Sequence, residues 1–239
     1  MINKDDLLRD IKNNLLILPG DTVLIHSSMK SIGSVEGGAD TVLEAFMEYP
    51  GKSGLLVFPT LSYRDVTADK PFFDVRSTPA CTGILSEVFR QKPGVVRSLH
   101  PTHSVAAFGR DAAEFTAGHE NCSTPAPVGS PWWKLLQRKG KILFIGTGIS
   151  CNTFLHGVDE WLKLPDLISK EPVTVKMTGY DGNTFDSLQY RHCAGRNAYY
   201  GSLEERFEAA GALLRGKLGD ALCHVLDCAK IASELGYRI

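Results

Sequence analysis

The chain carries almost no excess charge: 26 Lys and Arg stand against 27 Asp and Glu. No general attraction to nucleic acid or to an anionic membrane is therefore expected. Long hydrophobic runs are also missing. No stretch approaches 18 consecutive apolar residues, and the opening MINKDDLLRDIKNNLL mixes charges into its apolar positions. That argues against a membrane span and a signal peptide, and a cytoplasmic protein is expected. The six cysteines, Cys81, Cys122, Cys151, Cys193, Cys223 and Cys228, contain no CxxC pair. They read as reduced thiols, with neither a disulfide framework nor a zinc site expected. Also lacking are the GxxxxGK[ST] phosphate loop, the GxGxxG fingerprint, the GxSxG nucleophile elbow and HExxH, so the enzyme classes most easily read from a motif find no support. No repeat, low-complexity tract or linker interrupts the chain, and one domain over residues 1–239 is expected.

What is present is an alternation of helical and strand patterns. Leu7, Leu8, Ile11 and Leu15 recur at helical spacing, and Leu18-Pro19-Gly20-Asp21 then breaks the pattern before a buried strand over 22–25. A second amphipathic helix carries Val42, Leu43, Phe46 and Met47, and a strand follows over 55–58. A long polar loop over 63–82 precedes a helix over 84–91. Further strand-like runs lie at 95–99, 104–109 and 141–145, with short helices at 112–116 and 152–163. Two runs at 173–177 and 184–188 flank Gly179-Tyr180-Asp181-Gly182 as a hairpin. Ser202-Leu203-Glu204-Glu205 has capping-box spacing and predicts a helix to about 214, and 221–239 reads as strand then helix. The pattern predicts an α/β fold with a mixed central sheet flanked by helices and a small hairpin-containing C-terminal part.

Polar clusters sit where chemistry is often placed. Ser27, Ser28, Met29, Lys30 and Ser31 leave a strand with hydroxyls, backbone N–H groups and a cation, a reasonable anion cradle. Arg97, His100, His103 and Ser104 gather a guanidinium, two imidazoles and a hydroxyl, with Arg97 a candidate phosphate contact. His156, Asp159 and Glu160 stand at i, i+3 and i+4 of one helix, so an imidazole and a carboxylate share a face. A metal-dependent hydrolase using His100, His103, His156 and Asp159 is a competing reading, although the expectation here is no metal.

Read in order, the blocks HSSMKSIGSVEGGADTVLEAF, GLLVFPTLSY, TGILSEVFR, GVVRSLHPTHSVAAFGR, GSPWWKLLQRKGKILFIGTG and NTFLHGVDE resemble the aminoglycoside 3-N-acetyltransferase family, a type distinct from the GNAT acetyltransferases. The resemblance implies transfer of an acetyl group from acetyl-CoA to an amine of a small molecule, an aminoglycoside first, by direct attack on the thioester. It implies that Ser27 to Ser31 cradle the cofactor's phosphates and that Arg97 and His103 add contacts. Ser104 and Val105, on a strand edge, would meet the pantetheine amides. His156 would be the base, with Asp159 or Asp186 as its acidic partner. Gln189 stands where some relatives have an acidic residue. Two alternatives remain open: the same chemistry on a biosynthetic amine or amino-sugar, and a non-catalytic acyl-CoA-binding protein. A polycationic acceptor would require several carboxylates around the cleft, and Asp159, Glu160, Asp166 and Asp186 are those available.

Overall fold

Val23, Leu24 and Ile25 are all buried, and because a strand sends successive side chains to opposite faces, this short run feeds two cores at once. It lies in β1 (Thr22–Ser27), a central strand of a seven-stranded sheet. The structure is a computed structural model describing residues 1–50, 53–193 and 195–238. Ahead of β1 lies α1 (Lys4–Asn14), and after it come α2 (Gly38–Glu48), β2 (Leu55–Pro59), β3 (Phe72–Asp74), α3 (Ile84–Phe89), β4 (Val96–Arg97), β5 (Val105–Gly109) and α4 (Ala112–Thr116). The second half supplies α5 (Pro131–Gln137), β6 (Lys141–Ile145), α6 (Thr153–Trp161), β7 (Val173–Thr178) and β8 (Thr184–Gln189). It ends with α7 (Asn197–Ser202), α8 (Glu204–Ala209), β9 (Leu213–Leu218), β10 (Ala221–Asp227) and α9 (Cys228–Glu234).

The sheet order is β4-β5-β2-β1-β6-β10-β9. β1 pairs parallel with β2 and β6, while β5, β10 and their outer neighbours run antiparallel. On one face Val23, Ile25 and Leu143 pack with Leu7, Val42 and Phe46 of the N-terminal helices. On the other, Leu24, Ile142 and Phe144 meet Trp132, Phe154 and Val158 of α5 and α6. Burial on both faces is what continuous apolar runs such as Lys141–Ile145 require. Local signals support the packing: Asn3 accepts from the Asp6 N–H, and the Asp6 carboxylate accepts from the Asn3 N–H, so α1 opens on a capping box. Among the described residues no helix is long and apolar enough to cross a membrane.

This is the mixed, helix-flanked α/β architecture expected, and the hairpin of β7 and β8 is present. Two expectations are corrected. The 63–82 segment is not all loop: it contributes β3, which pairs parallel with β7 and closes a second, three-stranded sheet over Val66, Phe73, Val175 and Met177. The helix expected from 202 to about 214 is present but shorter, as α8 (Glu204–Ala209). Ser202 Oγ donates to the Tyr199 carbonyl instead of capping, α8 has no side-chain cap, and Leu213 begins β9, paired with β10. Cross-strand pairing to a segment later in the chain outweighs a four-residue capping signal.

Candidate active site

Because β1, β2 and β6 are parallel, their C-terminal ends open at one edge of the sheet, where loops can place functional groups side by side. A cavity of about 590 Å³ lies there. His26 and Ser27 from the end of β1, Thr147 beyond β6, and Thr153 and His156 of α6 form one wall. His103, Arg191 and His192 also line it. Gly146 makes the junction possible: its φ is +60°, and a Cβ there would lie 2.1 Å from the Ser31 Cβ. The close approach lets Ser31 Oγ donate to the Gly146 carbonyl at 3.1 Å.

His156 is held by a chain of hydrogen bonds that fixes its tautomer. Tyr200 Oη donates to Asp159 Oδ2 at 2.6 Å, and Arg196 grips the same carboxylate through Nε at 2.9 Å and Nη2 at 3.1 Å. The phenol has one hydrogen, already given to Asp159, so its oxygen accepts from His156 Nδ1 at 3.0 Å. The proton therefore sits on Nδ1, and Nε2 keeps the lone pair. Burial, the nearby His192 and Arg196 lower the His156 pKa to about 3, so the ring is neutral at neutral pH. Burial and Asp159 push the Tyr200 pKa up, which keeps the phenol protonated and the relay intact. Asp159 thus acts on His156 through Tyr200, and not by the direct contact that helical spacing suggested.

A second imidazole–carboxylate pair stands beside the first. His192 Nε2 meets Glu160 Oε1 at 2.6 Å, both side chains being buried. Glu160 also accepts from the Ala126 N–H at 2.8 Å and from Thr124 Oγ1 at 2.7 Å. His192 stacks on His156 with ring centroids 4.6 Å apart and lies edge-on to His103 at 5.2 Å. Its Nδ1 is buried without a partner among the described residues, close to the candidate base.

The remaining expected site residues divide. Ser27 and His103 reach the cavity. Ser28 and Ser31 instead tie the turn to β6: the Ser28 N–H donates to the Ile145 carbonyl at 2.8 Å, and the two hydroxyls bond each other at 3.0 Å. Met29 packs against the core and Lys30 is exposed. Asp186 is corrected outright, since it is exposed on β8, 3.3 Å from Lys176 Nζ, and does not line the cavity. Ser104 and Val105 do not offer a free strand edge. β5 lies between β4 and β2, the Ser104 and Val105 carbonyls accept from the Thr60 and Ser98 N–H groups, and Ser104 Oγ donates to the Thr60 carbonyl. Gln189 is buried behind the site, donating to the Cys122 carbonyl at 2.8 Å. His100 has both ring nitrogens engaged, Nδ1 accepting from the His103 N–H and Nε2 facing the Thr124 carbonyl. Among the described residues no group of three or more His, Cys, Asp or Glu could hold a metal ion.

Arg97 is the largest correction. Only 2% exposed, it spends its guanidinium on the protein itself: Nη2 donates to the Thr60 carbonyl at 2.8 Å, Nη1 to the Thr78 carbonyl at 2.5 Å, and Nε to Ser104 Oγ at 3.0 Å. The side chain is buried and does not line the cavity, so it is not presented to a phosphate there. Arg97→Ala strands these buried acceptors, so the expected result is a loss of about 3 kcal/mol or more in denaturant-unfolding stability. A variant of unchanged stability with a raised KM for a phosphorylated ligand would restore the phosphate role.

None of Arg196, Tyr200 and His192 is among the site residues expected from the sequence. They come from the 192–200 segment and meet α6 across 32 to 44 residues of chain. Spacing cannot show such pairings. The one local signal is the acidic pair Asp159-Glu160 beneath an apolar helix face, which needs cationic or hydrogen-bonding partners once buried.

The family model described as aminoglycoside 3-N-acetyltransferase matches residues 24–236. The chain is 30% identical to aminoglycoside N(3)-acetyltransferase IV of Salmonella sp, over 93% of this chain and 82% of that relative. It is 27% identical to the SPbeta prophage-derived aminoglycoside N(3')-acetyltransferase-like protein YokD of Bacillus subtilis, over 94% of this chain and 87% of the relative. Among solved structures it superimposes on AAC-IIIb in binary complex with CoASH with a TM-score of 0.85 at 24% identity, covering 98% of this chain and 94% of that one. AAC-VIa bound to sisomicin gives 0.82 at 26% identity, covering 98% of this chain and 95% of that one.

Proposed function

This chain belongs to the aminoglycoside 3-N-acetyltransferase family, and on that premise we propose that it transfers the acetyl group of acetyl-CoA to a primary amine of a small molecule, with His156 as the general base. The observation that carries the reading is the chain Arg196–Asp159–Tyr200–His156 ending on the cavity wall. It leaves a neutral imidazole with its lone pair on Nε2, which is the state that removes a proton from an attacking amine. Acetyl-CoA supplies the thioester carbon that the amine attacks. The residues present suit such a donor: the hydroxyls of Ser27, Thr147 and Thr153 line the cavity and would hold it, and Ser27 keeps that role from the expected cradle. As His156 takes the proton, Tyr200 continues to accept from Nδ1–H, and Asp159 balances the new imidazolium charge through it.

Aminoglycosides are the acceptors that the family's named members suggest, and they are the first to assay. We place the reaction in the cytoplasm, a reducing compartment that suits six free cysteines, two of them exposed at Cys151 and Cys193. The test is release of free CoA thiol from acetyl-CoA. Release that requires an added amine, with acetylated amine appearing in equal amount, is the expected result. Tight CoA binding with no transfer to any amine would replace this reading with that of a non-catalytic acyl-CoA-binding protein.

A further inference from the structure

A cleft that accepts a polycation must meet it with negative charge, and none of the four carboxylates available for this does so. Asp159 is committed to Arg196 and Tyr200, and Glu160 to His192, Thr124 and Ala126. Asp186 lies on the outside of β8 beside Lys176, and Asp166 is exposed in the turn that follows α6. Among the described residues no carboxylate lines the cavity.

The charge that does face the cavity is positive. Arg191 lines it; Nη2 is anchored on the Val66 carbonyl at 3.0 Å, while Nε is buried with no partner among the described residues. A guanidinium that lines the cavity and is anchored through Nη2 keeps planar N–H groups of the kind that fit a carboxylate or phosphate. A second cation brought beside Arg191 would be repelled at an effective dielectric well below that of water, with no carboxylate among the described cavity-lining residues to pair with it.

We propose that the acceptor is a small primary amine that also carries an anionic group, a carboxylate or a phosphate, and that Arg191 pairs with that group. The inference rests on the acetyl-transfer reading and narrows its substrate class. It turns the family's chemistry toward metabolites of mixed charge and away from polycations. Arg191 is a specificity-determining residue in this account, acting on the acceptor and leaving the proton transfer to His156.

Matched acceptors test it: glucosamine against glucosamine 6-phosphate, butylamine against 4-aminobutyrate, and gentamicin as the polycation. CoA release is measured with each, and their binding to the CoA-loaded protein is measured by calorimetry. The expected result is a preference of tenfold or more for the anionic member of at least one pair, in kcat/KM or in affinity. Arg191→Gln should erase that preference and Arg191→Lys should restore part of it, with KM for acetyl-CoA unchanged. Equal use of both members of each pair, gentamicin as the best acceptor, or no binding of any probe overturns the proposal. So does an Arg191→Gln variant that raises KM for acetyl-CoA alone, because Arg191 would then serve the donor's phosphates. Absence of CoA release with every amine, gentamicin included, is the failure of the transfer reading itself, and the calorimetric preference still decides the role of Arg191.

Discussion

Replacing His156 with alanine is expected to lower kcat/KM for amine-dependent CoA release by about 10³-fold, within the range that a positioned general base contributes. Affinity for CoA should stay within a few-fold of the parent. The reasoning is specific to this site: an amine that attacks a thioester must lose a proton, and His156 presents a neutral Nε2 to the cavity with Nδ1–H already committed to Tyr200. Tyr200→Phe removes the acceptor that fixes the tautomer but leaves the ring, so a smaller loss, about tenfold, is expected, carried by kcat and not by KM. His192→Gln is the informative control. If His192, stacked 4.6 Å from His156, were the base, its variant would be the inactive one and His156→Ala would retain activity. An active His156→Ala enzyme would sink the assignment.

His156 was legible only in part. Its place on α6 followed from the apolar spacing of Phe154, Leu155 and Val158, all buried against the sheet. The role came from ordered resemblance, since HxxD on one helix face is uninformative by itself. His156 and Asp159 share a helix face, as their spacing requires, and are joined through Tyr200. Buried carboxylates demand strong partners. Asp159 found Arg196 and Tyr200, and Glu160 found His192, all on a segment whose path over α6 depends on the whole fold.

The same division runs through the architecture. β6 matched its expected bounds because a continuous apolar run closed by glycine has few other solutions in a parallel sheet. β9 was misread because Leu213–Leu218 becomes a strand only by pairing with β10. Arg97 shows the limit most plainly. A guanidinium near two imidazoles reads as an anion site, yet its partners are carbonyls of Thr60 and Thr78, distant residues that leave no mark on the local sequence.

Acid is expected to unfold this protein well above the usual carboxylate range. His26, His100, His103, His119 and His156 are buried as neutral rings, and burial is the main cause that lowers each pKa. For His26, His100 and His156 the value falls to about 3, and for His103 and His119 it lies well below 6.5. In the unfolded chain the same groups titrate near 6.5. The unfolded state therefore binds more protons below pH 6.5, so the stability these rings provide is complete above that pH and is lost as pH falls toward the folded values. Each costs roughly 1 kcal/mol for every pH unit below 6.5, and five together come to about 5 kcal/mol at pH 5.5, against a typical total of ~5–15 kcal/mol. Contacts between rings help hold the folded values down, for His100 lies 4.5 Å from His119 and His103 lies 6.1 Å from His100, so a second charge would meet the first. Thermal melts from pH 7.5 to 5.5 should show Tm falling by about 10–20 °C, with a transition that takes up several protons. His119 is bound through Nδ1 to Ser98 Oγ at 2.8 Å and lies outside the cavity wall, so His119→Gln should reduce that uptake by about one proton. A Tm that stays level over this interval would mean that the buried imidazoles are already charged in the fold, and the neutral base assigned to His156 would fall with them. Loss of activity below about pH 5.5 should therefore coincide with loss of tertiary structure, and kcat/KM should show no acid limb at 6.5 of the kind an exposed histidine base would impose.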